Sequence, residues 1–139
     1  MATLPITLVM AGVAALINIW LGLRVSILRL RHKILVGDGG NEVVRARMRA
    51  HANFAEYAPL FLILVAAIEL AGGDETWLWV AALLFVLARL AHPFGMDRTS
   101  PHPLRMAGAA LTWALLLGLA AWAIAIGYSE LGRPEITYV

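Results

Sequence analysis

The chain alternates between long apolar stretches and short polar breaks, and the stretches are four. The first runs from about Pro5 to Leu23 without a charge and continues as helix through Arg24 and Arg29 to about residue 33. An apolar run of at least about 18 residues is long enough to cross a bilayer as a helix. It lacks a basic start, and its basic residues follow the apolar part, so it is expected to be retained rather than cleaved as a signal peptide. The break Gly37–Asp38–Gly39–Gly40–Asn41 is turn chemistry. Asn41 is a helix-capping residue and Glu42 suits a first helical turn, which predicts a second helix over 41–70. Pro59 should kink it, and Ala71–Gly72–Gly73–Asp74 should end it. A third helix is predicted over 76–92, stopped by Pro93 and Gly95, with Trp77 and Trp79 at the level of an interfacial aromatic belt. After the connector Asp97–Pro103 a fourth is predicted over 104–128, and the polar tail from Ser129 to Val139 should lie outside the bilayer. The pattern predicts an all-α integral membrane four-helix bundle, with residues 1–139 as a single domain.

Composition agrees, since 61% of the residues are hydrophobic and only 14% charged, against roughly 45–50% and about 25% in soluble domains. With no cysteine there is no disulfide, no thiolate metal site and no thiol nucleophile, so any thiol chemistry needs a sulfur brought by a ligand. The basic residues cluster. Every lysine and arginine except Arg133 falls on the first or third connection or the helix ends beside it, whereas Asp74, Glu75, Glu130 and Glu135 lie on the other side. The positive-inside rule then puts both termini outside and the basic end in the cytoplasm. Because these arginines interrupt hydrophobic spans, topology explains them before a nucleic-acid surface does, and no nucleic-acid partner is expected.

Ionisable groups at membrane depth are costly and normally face a bundle interior or a site. Arg45, Arg49, Asn53 and Glu56 are spaced to share one stripe of the second helix, and Asn18, Gly22, Val25 and Arg29 form a stripe on the first. Arg89 and His92 lie near the basic end of the third helix, and Arg105 opens the fourth. A complementary ligand would carry more than one carboxylate or phosphate, matched by planar guanidinium groups, and an amine for Glu56. A purely structural alternative stands beside this. Glu56 could pair with Arg49 or an arginine of another helix, while Arg24, Arg31, Lys33, Arg45 and Arg47 serve only orientation. His51, His92 and His102 are too dispersed for a metal site, and none is expected.

The string Arg49–Ala50–x–x–Asn53–x–x–Glu56–Tyr57–x–Pro59 resembles the second-helix signature of the MAPEG family, the membrane-associated proteins of eicosanoid and glutathione metabolism. Arg29–Leu30–Arg31–His32–Lys33, Ala88–Arg89–Leu90–Ala91–His92 and Arg105 resemble the family's pattern at the corresponding ends of the other three helices. The resemblance implies a homotrimer in membrane lipid that binds glutathione between subunits near the cytosolic face. Carried over by position, Arg29 and Arg49 would hold glutathione carboxylates, Glu56 its amino group and Asn53 its backbone. His51, Tyr57 and His92 would line the pocket, and Arg105 would be the catalytic residue that stabilises the thiolate. A nearby guanidinium favours a thiolate on physical grounds alone. Where eicosanoid-making relatives place tyrosines late in the third helix, this chain has His92 and Met96, so an eicosanoid substrate is not expected. The overall look is that of prokaryotic members in the inner membrane. The expected function is a glutathione transferase- or peroxidase-like activity on lipophilic electrophiles; the alternative is a non-catalytic membrane protein that binds a lipid or lipophilic ligand. A transporter fits less well, because four spans leave little room for alternating access.

Overall fold

A computed structural model describes residues 3–98 and 102–131, and every regular element among them is a helix: α1 Pro5–Arg31, α2 Glu42–Leu70, α3 Glu75–Met96 and α4 Pro103–Leu131. All four are long and apolar enough to cross a membrane. At 1.5 Å per residue the 27- and 29-residue helices reach about 40 Å, more than the ~30 Å hydrocarbon layer. The chain is an integral multi-pass membrane protein.

The helix ends follow from local chemistry. Asn41 caps α2, its side-chain oxygen accepting from the backbone N–H of Val43 (3.0 Å) and Val44 (3.1 Å), and Asp74 caps α3 through Trp77 N–H at 3.1 Å. At the end of α1, Lys33 takes a left-handed conformation (φ 55°), and Ile34 N–H reaches back to the Arg29 carbonyl at 2.9 Å. That closure ends α1 two residues before the expected position. In contrast, α3 does not stop at Pro93 but runs through it to Met96. A proline removes only one helical hydrogen bond, and Asp97 N–H closes the last turn onto the Pro93 carbonyl at 3.2 Å. α4 begins with Pro103, whose missing N–H would be unpaired in any first turn. Pro59 likewise lies inside α2. The tail beyond Leu131 lies outside the described residues.

The N-terminus of α1 has no cap of its own, since Leu4 precedes Pro5. Glu69, near the end of α2, supplies one from another helix. Its carboxylate accepts from Ile6 N–H (2.8 Å), Thr7 N–H (2.9 Å) and Thr7 Oγ1 (2.6 Å). This ties α1 to α2 antiparallel at the acidic end of the bundle. α2 and α3 each touch every other helix, while α1 and α4 make no contact with each other among the described residues.

The core is a seam of small and large apolar side chains at three- and four-residue spacing. α1 contributes Met10, Ala14, Ile17 and Leu21, α2 Phe54, Ala58, Phe61 and Val65, and α3 Leu78, Ala82 and Phe85. Phe61 and Phe85 stack at 3.9 Å between ring centres. Outward-facing leucines and isoleucines such as Leu16, Ile63, Leu117 and Ile124 are exposed on the protomer, as lipid-facing positions should be. α4 buries mainly small groups, Gly108 and Thr112, besides Leu119. A methyl group on Gly108 would meet the Ala88 carbonyl oxygen at 2.7 Å, and one on Gly95 would collide with the Arg105 backbone. These two glycines let α3 and α4 approach closely at the basic end.

Candidate ligand-binding site

The face of α2 is set by what it buries. Ala50, Phe54, Ala58 and Phe61 turn inward, so the intervening Arg49 and Glu56 are exposed on the protomer, with Asn53 and Tyr57 half-buried beside them. Among the described residues, neither Arg49 nor Glu56 forms a hydrogen bond or an ion pair within the chain. The structural pairing of Glu56 with Arg49 is therefore absent in the protomer. A cation, an amide and an anion stand in order along one helix at membrane depth, two of them with their bonding capacity unused.

Beneath this stripe lies Arg89. It is completely buried, yet α3 places it where three neighbours compensate its charge. One terminal nitrogen donates to Asn53 Oδ1 at 2.9 Å and the other to Thr112 Oγ1 at 3.4 Å. The Thr112 hydroxyl spends its own proton on the Gly108 carbonyl at 2.7 Å, which leaves its lone pair free to accept. The guanidinium carbon stands 5.7 Å from the centre of the Phe54 ring. Arg89 Nε is buried with no hydrogen-bond partner among the described residues. Glu56 and Tyr57 lie within electrostatic range of this charge. A buried cation without partners would cost several kcal/mol, so this knot is both a structural element and the floor of the α2 stripe.

At the start of α4, His92 is buried and its Nδ1 lies 3.1 Å from the Arg105 carbonyl. A carbonyl only accepts, so Nδ1 carries the proton. His92 thus grips the Arg105 backbone, Gly95 admits that backbone against α3, and the Arg105 side chain itself is exposed. Among the described residues the Arg105 guanidinium has no partner within the protomer.

The remaining expected site residues are placed elsewhere. His51 faces α1, with Nε2 2.9 Å from Asn18 Oδ1 and its ring beside Gly22. Arg29 donates to the Leu35 carbonyl at 2.9 Å and so fastens the turn after α1. The protomer therefore gathers Asn53, Glu56 and Tyr57 around Arg89 and joins His92 to Arg105. No hydrogen bond or ion pair within it links Arg29 or Arg49 to either group.

Two structural roles were not legible from the pattern of charges. Asp97, just past α3, pairs with both Arg24 and Arg47, the latter at 3.4 Å. Arg24 also lies over Trp20 and Phe94. These two arginines lock α1 and α2 to the end of α3 and do more than orient the chain. Arg45 is held by Asp38 at 2.6 Å. The guanidinium hydrogen bond, with help from Gly40 N–H, keeps the Asp38 carboxyl below its ordinary range. Among the described residues no cluster of three His, Asp or Glu side chains is placed to hold a metal ion.

On the acidic half of the bundle an apolar groove of about 390 Å³ separates α3 from α4. Its walls are Trp77, Leu84 and Trp122, and Gly118 adds no side chain to fill it.

Residues 7–125 match the sequence profile of the MAPEG family. The chain is also similar to the inner membrane protein YecN of Escherichia coli, both in strain K12 and in the O6:H1 strain CFT073. Each is 32% identical over 94 residues, a stretch that covers 65% of this chain and 68% of the relative.

Proposed function

The chain belongs to the MAPEG family, and on that footing we propose that it is a membrane glutathione transferase- or peroxidase-like protein. It would present a glutathione thiolate to lipophilic electrophiles. One observation carries the reading: Arg49, Asn53 and Glu56 stand in line on a membrane-spanning helix, and among the described residues the two charged groups form no hydrogen bond or ion pair in their own protomer. Ionised side chains at that depth need a counter-group. A tripeptide with carboxylates, amide carbonyls and one ammonium group matches the line in order.

A second copy of the chain completes such a site in this reading. Arg29 and Arg105 are exposed or half-buried at the same basic end, and in a homotrimer a neighbour brings them to the α2 stripe. Arg105 then lies against the sulfur, where its charge favours the thiolate and lowers the thiol pKa from about 8.5. The thiol gives its proton to water, and the sulfur lone pair forms the bond to the electrophile from the lipid as a leaving group departs with its electron pair or, in a hydroperoxide, as the O–O bond breaks and the alkoxide takes up a proton. The concentration of arginines at one end supports a site on the cytoplasmic side of the membrane, and the similarity to bacterial inner membrane proteins supports an inner-membrane location.

A second reading has its own support. The apolar α3–α4 groove and the methionine at position 96 suit a protein that binds a lipophilic ligand without catalysis. Glutathione separates the two. With detergent-purified protein, thermal stability should rise with glutathione, by about 2.7 kcal/mol at a hundredfold excess over the dissociation constant. Arg49→Ala should abolish the rise. No shift in the wild-type protein up to millimolar glutathione would reject the glutathione reading and leave the lipid-binding one.

A further inference from the structure

Asn53 can face the ligand in two ways, with its carbonyl oxygen or with its NH₂ group. We infer that Arg89 decides between them: it is a positioning residue that holds Asn53 with its oxygen inward and its NH₂ toward the ligand. A guanidinium has donors only and cannot accept a hydrogen bond. The Asn53 atom 2.9 Å from Arg89 must therefore be Oδ1, whatever ligand is bound. The Arg89 side chain has no freedom to yield, being fully buried between Thr112 Oγ1 at 3.4 Å and the Phe54 ring. The hydroxyl on its far side is itself fixed by its bond to the Gly108 carbonyl at 2.7 Å. Arg89 donates in both directions, to Asn53 on one side and on the other to Thr112, which passes its own proton on to the Gly108 carbonyl of α4.

The consequence is a specificity rule for the α2 face. Arg49 demands an anion, Asn53 a hydrogen-bond acceptor and Glu56 a cation, in that order over two helical turns. A ligand that offered an N–H at the middle position would meet donor against donor and leave a polar pair unsatisfied. The middle position thus takes a carbonyl oxygen. This deepens the glutathione reading and rests on it for the identity of the ligand. The pinning of the amide is a property of the protomer and stands apart from that identity.

Two measurements test it. The first is a double-mutant cycle on glutathione affinity with Asn53→Leu and Arg89→Met, each close in volume to the original's apolar part. Asn53→Leu should weaken binding at least tenfold, and Arg89→Met should weaken it severalfold although it touches no ligand. The double variant should bind like Asn53→Leu alone, because Arg89 acts only through Asn53. Additive losses, or an unchanged affinity in Arg89→Met, would overturn the inference while leaving glutathione binding intact. The second is the side-chain amide resonance pair of ¹⁵N-labelled Asn53, which needs no ligand. In the wild type its two protons should be distinct and slow to rotate, and Arg89→Met should shift them toward a solvent-exposed asparagine. A pair that does not respond would overturn the pinning even if glutathione proved not to be the ligand. A pair that responds in a protein that does not bind glutathione would reject only the ligand. Should Arg89→Met fail to fold, Arg89→Gln, which leaves Asn53 in place and keeps a polar partner that can also accept, supplies the comparison.

Discussion

Replacing Glu69 with alanine should destabilise the bundle from its acidic end, far from the arginines. The carboxylate accepts three hydrogen bonds, from Ile6 N–H, Thr7 N–H and Thr7 Oγ1 at 2.8, 2.9 and 2.6 Å. α1 has no other cap, so its first-turn N–H groups lose their partners in the variant. A net hydrogen bond contributes about 0.5–1.5 kcal/mol, and one to a charged group about 1.5–3. Water can reach this partly buried site and recover some of that, so about 1 kcal/mol per bond is the working figure. The loss of a negative charge at a helix N-terminus adds roughly 0.3–1 kcal/mol. Glu69→Ala should then cost about 3–4 kcal/mol. Glu69→Gln, which keeps one accepting oxygen but no charge, should cost about half as much. Thr7→Val should cost about 1 kcal/mol. Equilibrium unfolding in mixed detergent micelles, followed by far-ultraviolet circular dichroism, would measure all three. The reasoning fails if Glu69→Ala stays within about 0.5 kcal/mol of the wild type, or if the glutamine variant is as costly as the alanine one.

Other outcomes follow from the basic end. Gly108→Ala should destabilise by about 1–3 kcal/mol, because the added methyl meets the Ala88 carbonyl oxygen and His92; the same unfolding assay reads it. If that strain moves the Arg105 backbone, glutathione turnover should fall more than glutathione affinity, which steady-state kinetics resolves into kcat and KM. Asp97→Ala should leave Arg24 and Arg47 without their shared carboxylate and cost about 1–2 kcal/mol. Asp97→Glu should recover part of the loss, whereas a merely solvated surface aspartate would show neither effect.

The four spans were legible because the bilayer imposes a length and a composition that no soluble helix needs. Turn chemistry also located two helix starts within a residue, through Asn41 and through the break that ends at Asp74. The end of α3 was not legible. Pro93 signals a stop, but one missing hydrogen bond in a last turn is cheap once Asp97 closes it. The α2 stripe was readable as a stripe, since Arg49, Asn53 and Glu56 follow helical spacing, and the family signature named a ligand for it. What spacing could not supply was direction across the bundle. Arg89 looks in sequence like one more basic residue near the membrane surface, and only the packing of α3 against α2 and α4 puts it under Asn53. Similarly, Asp97 and Glu69 sit at ends of apolar runs where a carboxylate reads as solvated. Their partners lie on α1 and α2, 50 to 73 positions away, beyond the reach of any local pattern. His92 was expected to line the pocket, and in the protomer it holds the Arg105 backbone.

The account's central claim is that the α2 face recognises glutathione through an ordered line of cation, amide and anion. Calorimetric affinity for glutathione and for its analogue lacking the α-amino group, measured on the wild type and on Glu56→Gln, tests that claim most directly. The account predicts that the wild type binds glutathione at least tenfold more tightly than the analogue and that Glu56→Gln binds the two nearly alike. A wild-type protein that binds both equally, or neither, would contradict it.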